Sequence, residues 1–263
     1  MMSRILFAFQ LRKQLTITLL FAALASLLSV GAVLLYEEPH ILALADARAQ
    51  SPAVFTLLGV GGSASLLAHL GALLHGFLLP ALGTVLAALL AARLMAAQVA
   101  TGEMTYWLAM PRRRGTHVLT QWAVLLACMA IFTVIPALAA AVAALVLQPG
   151  ALQPLWLAQL HLGLFLLYAA IGSLCLMLSC GMDEGRRARR AGLLLCGLLL
   201  VIGLVSRLRE VPGFVRYLSF YPLFDVPALT AGRPEAALLV LPALAVLFLL
   251  VGMRWFSGRD LPL

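Results

Sequence analysis

The hydrophobic positions of this chain fall into long, nearly unbroken runs that are separated by short polar stretches. A helix rises about 1.5 Å per residue, so about 20 apolar residues cross the roughly 30 Å hydrocarbon layer of a bilayer. Five runs reach that length, and a sixth spans only if the flanking Arg189, Arg190 and Arg207 extend towards water. The pattern predicts six transmembrane helices, at about residues 15–36, 66–92, 122–147, 156–178, 191–205 and 236–256.

The N-terminal residues carry a shorter amphipathic pattern ahead of the first run. One helical face holds four apolar residues, and two basic residues follow: Met2, Ile5, Leu6, Phe9, Arg12 and Lys13. This spacing is typical of a short helix that lies in the membrane interface, and a disordered basic tail is the alternative. The first run has 22 residues, whereas the apolar core of a secretory signal peptide has about 7–15. We therefore expect an uncleaved first helix.

The composition provides too few charges for the polar surface of a soluble fold. Of 263 residues, 63% are hydrophobic and 11% are charged, and the mean hydropathy is +1.06, whereas soluble domains have about 25% charged residues. Lipid must cover most of the surface, so the expected fold is all-α, with one polytopic transmembrane domain over residues 1–263. Aromatic residues near the run ends are expected to form an interfacial belt: Tyr36, Trp107, Trp122, Trp156, Tyr168 and Trp255.

The distribution of basic residues predicts the orientation. If the N-terminus is cytoplasmic, thirteen of the eighteen Lys and Arg residues fall in cytoplasmic segments, as the positive-inside rule requires. We expect a multi-pass inner (plasma) membrane protein that contacts lipid and has both termini in the cytoplasm. Topology explains the net charge of +8, so no nucleic-acid partner is expected. Four arginines before the sixth helix disagree with the rule: Arg207, Arg209, Arg216 and Arg233.

The chain lacks the residue patterns of several catalytic and metal sites. The glycine-rich stretch 59–63 is not followed by Gly-Lys-Ser/Thr, so it is not a phosphate-binding loop. The last run has no His to complete the Ser dyad of a rhomboid-type protease. His69 and His75 lie about 240° apart around a helix, which excludes a shared metal. We expect no catalytic residue, no metal site and no cofactor on this chain.

The residues inside the six runs argue against an ion-driven pump. Asp and Glu are absent from the centres of all six runs, whereas charges inside a membrane usually mark ion pathways. The four cysteines lie in or beside apolar runs and lack C-x₂-C spacing. We interpret them as small buried apolar residues: Cys128, Cys175, Cys180 and Cys196.

The stretch between the fifth and sixth helices, residues 211–234, has an unusual composition. Pro and Gly interrupt it too often for a membrane span, and it is too rich in Phe and Tyr for a free loop. Short helices that dip into the outer leaflet satisfy both features. A re-entrant outer segment is therefore expected here.

The segment between the second and third runs, residues 97–122, combines a short amphipathic helix with a basic cluster. A Gly-Glu pair leads into an apolar stripe, and a proline and three arginines follow: Gly102, Glu103, Met104, Trp107, Leu108, Pro111, Arg112, Arg113 and Arg114. Proline ends a helix because it lacks the N–H of the hydrogen-bonding ladder. The alternative is a plain loop whose arginines only set the topology.

This segment resembles the corresponding loop in the permease subunits of ABC-2-type exporters. There a Gly-Glu start leads to a Leu-rich turn, then to Pro-x-x-Arg-Arg and a Lys before the third helix; the matches are Gly102, Glu103, Leu108, Pro111, Arg113 and Arg114. Gln121 stands where Lys is common, and Gln98 or Thr101 stands where the family has a further carboxylate. The N-terminal interfacial helix with Leu11, Arg12 and Lys13, the six-helix layout and the stretch 221–225 are also similar to that family.

The resemblance implies a dimer of permeases, formed by two copies or with a paralogue, and two cytoplasmic ATPase subunits that bind ATP and Mg on separate chains. It assigns ATPase coupling to Gly102, Glu103, Trp107, Leu108, Pro111, Arg112, Arg113 and Arg114. It assigns an outer gate to Phe220, Tyr221, Pro222, Phe224 and Asp225. It does not identify the substrate. The first rival is a non-transport scaffold or regulatory subunit, and the second, an intramembrane enzyme, is disfavoured by the missing polar groups.

Overall fold

The computed structural model of the protein describes residues 4–59, 65–108, 114–208, 211–231 and 236–258, and within these ranges it is helical without a β-strand. The α-helices are α1 (Arg4–Leu34), α2 (Glu38–Gln50), α3 (Pro52–Leu58), α4 (Leu66–Leu70), α5 (Leu79–Leu94), α6 (Ala96–Ala100), α7 (Glu103–Leu108), α8 (Arg114–Leu147), α9 (Pro154–Cys180), α10 (Gly185–Val205), α11 (Val226–Thr230) and α12 (Val240–Ser257). A π-helical stretch, Gly71–Leu78, joins α4 to α5, and 3₁₀ helices form at Gly213–Leu218, Tyr221–Leu223 and Ala236–Leu239.

Among the described residues, six helical stretches are long and apolar enough to cross a membrane, which confirms the predicted number. They are Ile5–Leu34, Leu66–Ala100, Arg114–Leu147, Pro154–Cys180, Gly185–Val205 and Val240–Ser257. The chain therefore has the architecture of a multi-pass membrane protein. All six predicted runs fall within these stretches or overlap them.

The fourth span, α9, forms the centre of the bundle. Of its most apolar window, 72% is buried inside the protein, against 33% or less for α1, α8, α10 and α12. It packs against α5, α8, α10 and α12, while α1 packs mainly along α8. The four peripheral helices expose large aliphatic side chains, as lipid-facing helices do: Leu20, Leu27, Val142, Leu145, Leu194 and Leu250.

Several spans begin earlier than their apolar runs. α8 begins at Arg114, eight residues before the predicted start, and α10 begins at Gly185, six residues before it. The apolar pattern marks only the part of a helix that lies in hydrocarbon, whereas arginine is a good helix former whose charged end can stay in water. The arginines thus belong to α10, which at 21 residues is long enough to span.

The first helix runs without a break for 31 residues, about 46 Å at the rise of an α-helix. It exceeds the roughly 30 Å hydrocarbon layer, so part of it extends beyond that layer. The N-terminal segment, for which we expected a separate interfacial helix, is continuous with the first span among the described residues. Ile5 and Phe9 are exposed, whereas Leu6 is buried together with Gln10 and Gln14.

The second span departs from regular α-geometry beside a buried tyrosine. Pro80, the second residue of α5, lies just after the π-helical stretch and has no N–H with which to continue the ladder. The Tyr168 hydroxyl donates to the carbonyl of Leu79 at 2.6 Å, and its ring occupies the space where a side chain on Gly83 would lie. Tyr168 is fully buried, so its assignment to an interfacial belt was wrong: a glycine gap and a carbonyl acceptor let the bundle enclose it.

Candidate functional sites: the coupling segment and the outer segment

The predicted coupling segment forms the short helix α7 at one end of the bundle. We call this end, which carries Lys13, Glu103 and the arginines at the start of α10, the basic end. Gly102 precedes α7 with a positive φ of 73°, a conformation that side chains disfavour and glycine adopts freely. The turn redirects the chain after α6, and Met104 then enters the core, where it is fully buried. The apolar stripe that the sequence shows thus includes Met104, which anchors α7 to the bundle.

An ion pair ties α7 to the first helix. The Lys13 Nζ lies 2.9 Å from both carboxylate oxygens of Glu103. The two side chains are 45% and 41% exposed, so the pair is a surface contact of modest stability that fixes geometry. Tyr106, on the same helix, is 79% exposed. The segment thus has an inward anchor and an outward aromatic side chain.

The other predicted coupling residues are placed only in part. The backbone of α7 includes Trp107 and extends to Leu108, and Arg114 begins α8. Pro111, Arg112 and Arg113 lie outside the described residues. The structure therefore brings Gly102, Glu103 and Arg114 to the basic end, between the second and third spans.

A buried polar cluster lies beside this segment. Gln121 Nε2 donates to Gln98 Oε1 at 3.3 Å and lies 3.3 Å from His117 Nε2. All three side chains are buried. The two glutamines therefore form a neutral amide pair inside the bundle.

The outer segment, here residues 211–231, packs against the opposite end of the bundle. Phe220, Tyr221 and Phe224 are buried, whereas Phe214 and Tyr217 are exposed. Phe224 packs beside Gly163 of α9, and α11 contacts both α9 and the π-helical stretch. These contacts explain how a stretch rich in proline and aromatics stays ordered. Arg233 and Pro234 lie outside the described residues.

Two polar contacts hold the predicted gate residues in place. The Tyr221 hydroxyl lies 2.7 Å from Thr84 Oγ1 on the second span, and burial raises the Tyr221 pKa well above its ordinary value. Asp225 Oδ1 accepts a hydrogen bond from the N–H of Ala228 at 3.2 Å, which caps α11. Pro222 stands at the start of its 3₁₀ helix, where a missing N–H costs little.

Three arginines gather around a cavity of about 380 Å³ beside the outer segment. Arg48 comes from the last turn of α2, and Arg207 and Arg216 flank the stretch after α10. Arg216 Nη2 lies 3.8 Å from Asp225 Oδ2. Burial lowers the pKa of Arg207 and the nearby Asp225 raises it, but an arginine stays charged in either case.

Sequence reasoning missed three contacts between different helices or their ends. The rings of His75 and His161 meet edge to face at 4.8 Å, and His69 instead meets Tyr36. Cys175 Sγ lies 3.6 Å from Cys196 Sγ, joining α9 to α10. No periodicity within one helix signals such pairs, because each forms between distant parts of the chain.

The described residues contain no group of three or more His, Cys, Asp or Glu side chains arranged to hold a metal ion. No protein-family model matches the chain, and no curated protein matches it either.

Proposed function

We propose that this chain is the membrane-spanning permease subunit of an ABC-2-type exporter. It forms the translocation path as a dimer, with a second copy or a paralogue, and separate cytoplasmic ATPase subunits drive it with ATP and Mg. The observation that carries the proposal is α7: a short helix between the second and third spans that is anchored inward and exposed outward. The motif resemblance of this segment supplies the family.

An anchored helix suits the task of coupling because a permease without a nucleotide site must receive work by contact. Met104 in the core and the pair of Lys13 with Glu103 join α7 to the bundle and to α1. Displacement of α7 is then transmitted to α1, which packs along α8. Tyr106 offers an exposed aromatic side chain, a type that is enriched at the energetic centres of interfaces.

The proposed orientation follows from the basic residues. Both termini, α7 and the arginines of α10 face the cytoplasm of the inner membrane, the first turns of α1 lie in its interface, and the outer segment enters the outer leaflet. There Phe220, Tyr221, Pro222, Phe224 and Asp225 act as the outer gate. The contacts of these residues with the second and fourth spans support this assignment, because a motion of either span would reach the gate.

Charge reversal of the ion pair tests the coupling. An ABC ATPase that co-purifies with the tagged chain is reconstituted with it, and permease-stimulated ATP hydrolysis is measured. Lys13→Glu and Glu103→Lys should each lower the stimulation about two- to fivefold, the equivalent of one surface ion pair. The double variant should restore it, because it rebuilds the pair with opposite polarity.

Binding is measured separately by pull-down of the ATPase with tagged chain. Tyr106→Ala and Trp107→Ala should weaken capture, since each removes an aromatic side chain from the proposed interface. Gln153→Ala, at the opposite end of the bundle, is the matched control. If all variants bind the ATPase and stimulate hydrolysis as the parent does, α7 is a plain connecting helix. If no ATPase co-purifies at all, a scaffold or regulatory subunit becomes the better proposal.

A further inference from the structure

The arginines at the outer-segment end of the bundle are not explained by topology. The positive-inside rule concentrates basic residues on the cytoplasmic side, yet Arg48, Arg207 and Arg216 all line one cavity at the other end. Asp225 is the only carboxylate on the described part of its wall. The described lining thus carries an excess of two positive charges. Its volume of about 380 Å³ lies in the range of about 300–1,000 Å³ that is typical of small-molecule sites.

The guanidinium of Arg207 is built into the wall. Its Nη1 donates to the carbonyl oxygen of Gly76 at 3.0 Å. In a regular α-helix residue 80 would donate to that oxygen, but Pro80 has no N–H. A side chain on Gly59 would collide with the same Nη1, and Gly59 has the positive φ of 75° that suits glycine. One hydrogen bond occupies one of the five N–H donors of arginine, so the others can bind a ligand.

Asp225, the single carboxylate among the described residues of the wall, is already engaged. Asp225 Oδ1 caps α11, and Oδ2 lies 3.8 Å from Arg216. Arg48 is an exposed residue of α2 that also lines the cavity. Phe55 and Phe224 add apolar surface to the wall. The cavity therefore combines arginine donors, which match phosphate and carboxylate geometry, with an aromatic lining.

We infer that this cavity, the outer anion site, binds an organic anion: a phosphate or carboxylate group joined to an apolar body. Arg207 and Arg48 hold the anionic group, and Phe55 and Phe224 contact the apolar part. A lipid headgroup and a free amphiphilic anion share this chemistry. The inference stands on the cavity and its charges, so it does not depend on the proposed transport function.

The experiment measures binding to purified full-length chain in neutral detergent, with hexyl phosphate as the probe. Calorimetric titration should show saturable binding, and Arg207→Lys and Arg48→Gln should each weaken it about tenfold or more, because a charge-assisted hydrogen bond is lost or displaced. Thr56→Trp should also block binding, since it fills the cavity from the exposed surface of α3 while leaving every arginine in place. Arg187→Gln, at the basic end, is the matched control and should bind as the parent does.

Further arms identify the anion's source and can overturn the inference. Native mass spectrometry of the protein from mixed nanodiscs compares the retention of phosphatidylglycerol with that of phosphatidylcholine. Preferred retention of phosphatidylglycerol that is lost in Thr56→Trp assigns a lipid headgroup. Binding of hexyl phosphate without that retention assigns a free anion. Equal binding of inorganic phosphate or of hexanol contradicts a combined anionic and apolar site. Gel filtration checks that the Arg48→Gln and Thr56→Trp variants are folded. Unchanged binding of hexyl phosphate in these folded variants, or no binding to the parent protein, overturns the inference.

Discussion

Gln98 and Gln121 show how single residues adjust the segment beside α7. Their amides meet at 3.3 Å inside the bundle, with His117 as a further neighbour. An isolated charge at such a site is costly because burial removes its hydration, whereas a pair of opposite charges can offset that cost. Two amides meet without any net charge. The neutral pair therefore tolerates the loss of either partner better than an ion pair does.

A charge-exchange series tests this contact. Gln98→Glu and Gln121→Lys should each lower the free energy of unfolding by roughly 3–5 kcal/mol, the cost of a buried charge without its partner. The double variant should recover most of that loss, because its two charges lie within contact distance. Thermal unfolding in detergent measures all three, and Gln153→Lys, at the exposed residue before α9, is the control. Additive losses in the double variant would show that the two side chains do not interact.

At the scale of elements, the outer segment shows how an irregular stretch acquires a fixed position. It exposes one set of aromatics and buries another, and two of the buried side chains fill gaps left by glycine. Gly203 of α10 lies against Tyr221, and Gly163 of α9 lies against Phe224. Ser219 Oγ donates to the carbonyl of Leu199 at 2.8 Å. The segment is thus held by side chains that enter between spans.

Cysteine labelling distinguishes this packing from a loose loop. Phe220→Cys and Phe224→Cys should react slowly with a water-soluble maleimide, since both side chains are enclosed by the bundle. Tyr217→Cys, which lies on the exposed side of the same segment, should react rapidly. Initial labelling rates of the purified protein in detergent give the comparison, in a background without the four native cysteines. Equal labelling rates at all three positions would show that the segment does not pack against the bundle.

At the scale of the whole molecule, the six spans alternate between two ends of different character. The basic end carries Lys13, Glu103 and the arginines at the start of α10. At the opposite end, Gln148 Nε2 donates to the carbonyl of Tyr36 at 3.2 Å, joining the ends of the first and third spans. The basic residues are therefore concentrated where they can set the orientation in a membrane.

Reporter fusions test that orientation in cells. Fusions after Gln148 or Tyr217 should give a periplasmic signal, for example active alkaline phosphatase. Fusions after Arg187 or Ser257 should give a cytoplasmic signal, for example fluorescence of a green fluorescent protein. The expectation follows from the excess of basic residues at the basic end. A cytoplasmic signal after Tyr217 would mean that α10 does not span, and the number of spans would fall to five.

The number and order of the spans were predictable from the sequence because the hydrophobic requirement acts on each helix alone. A run such as 156–178 is apolar whatever its neighbours are, and α9 differs from it by only two residues at each end. The ends of α8 and α10 were less predictable, since arginines that leave hydrocarbon still continue a helix. Likewise, the proline-rich outer segment was recognisable as non-spanning from its own residues.

Partners across the bundle were decided only by the tertiary structure. Sequence spacing could assign Met104 to an apolar stripe, but whether that stripe meets the core or solvent depends on how Gly102 turns α7. Nothing local places Gln98 against Gln121, or Arg207 against the carbonyl of Gly76. Such contacts join residues that are far apart in the chain, and their geometry depends on how the helices pack. The apolar runs, by contrast, were predictable because the lipid around a helix requires apolar residues, and that requirement acts on the sequence of each helix alone.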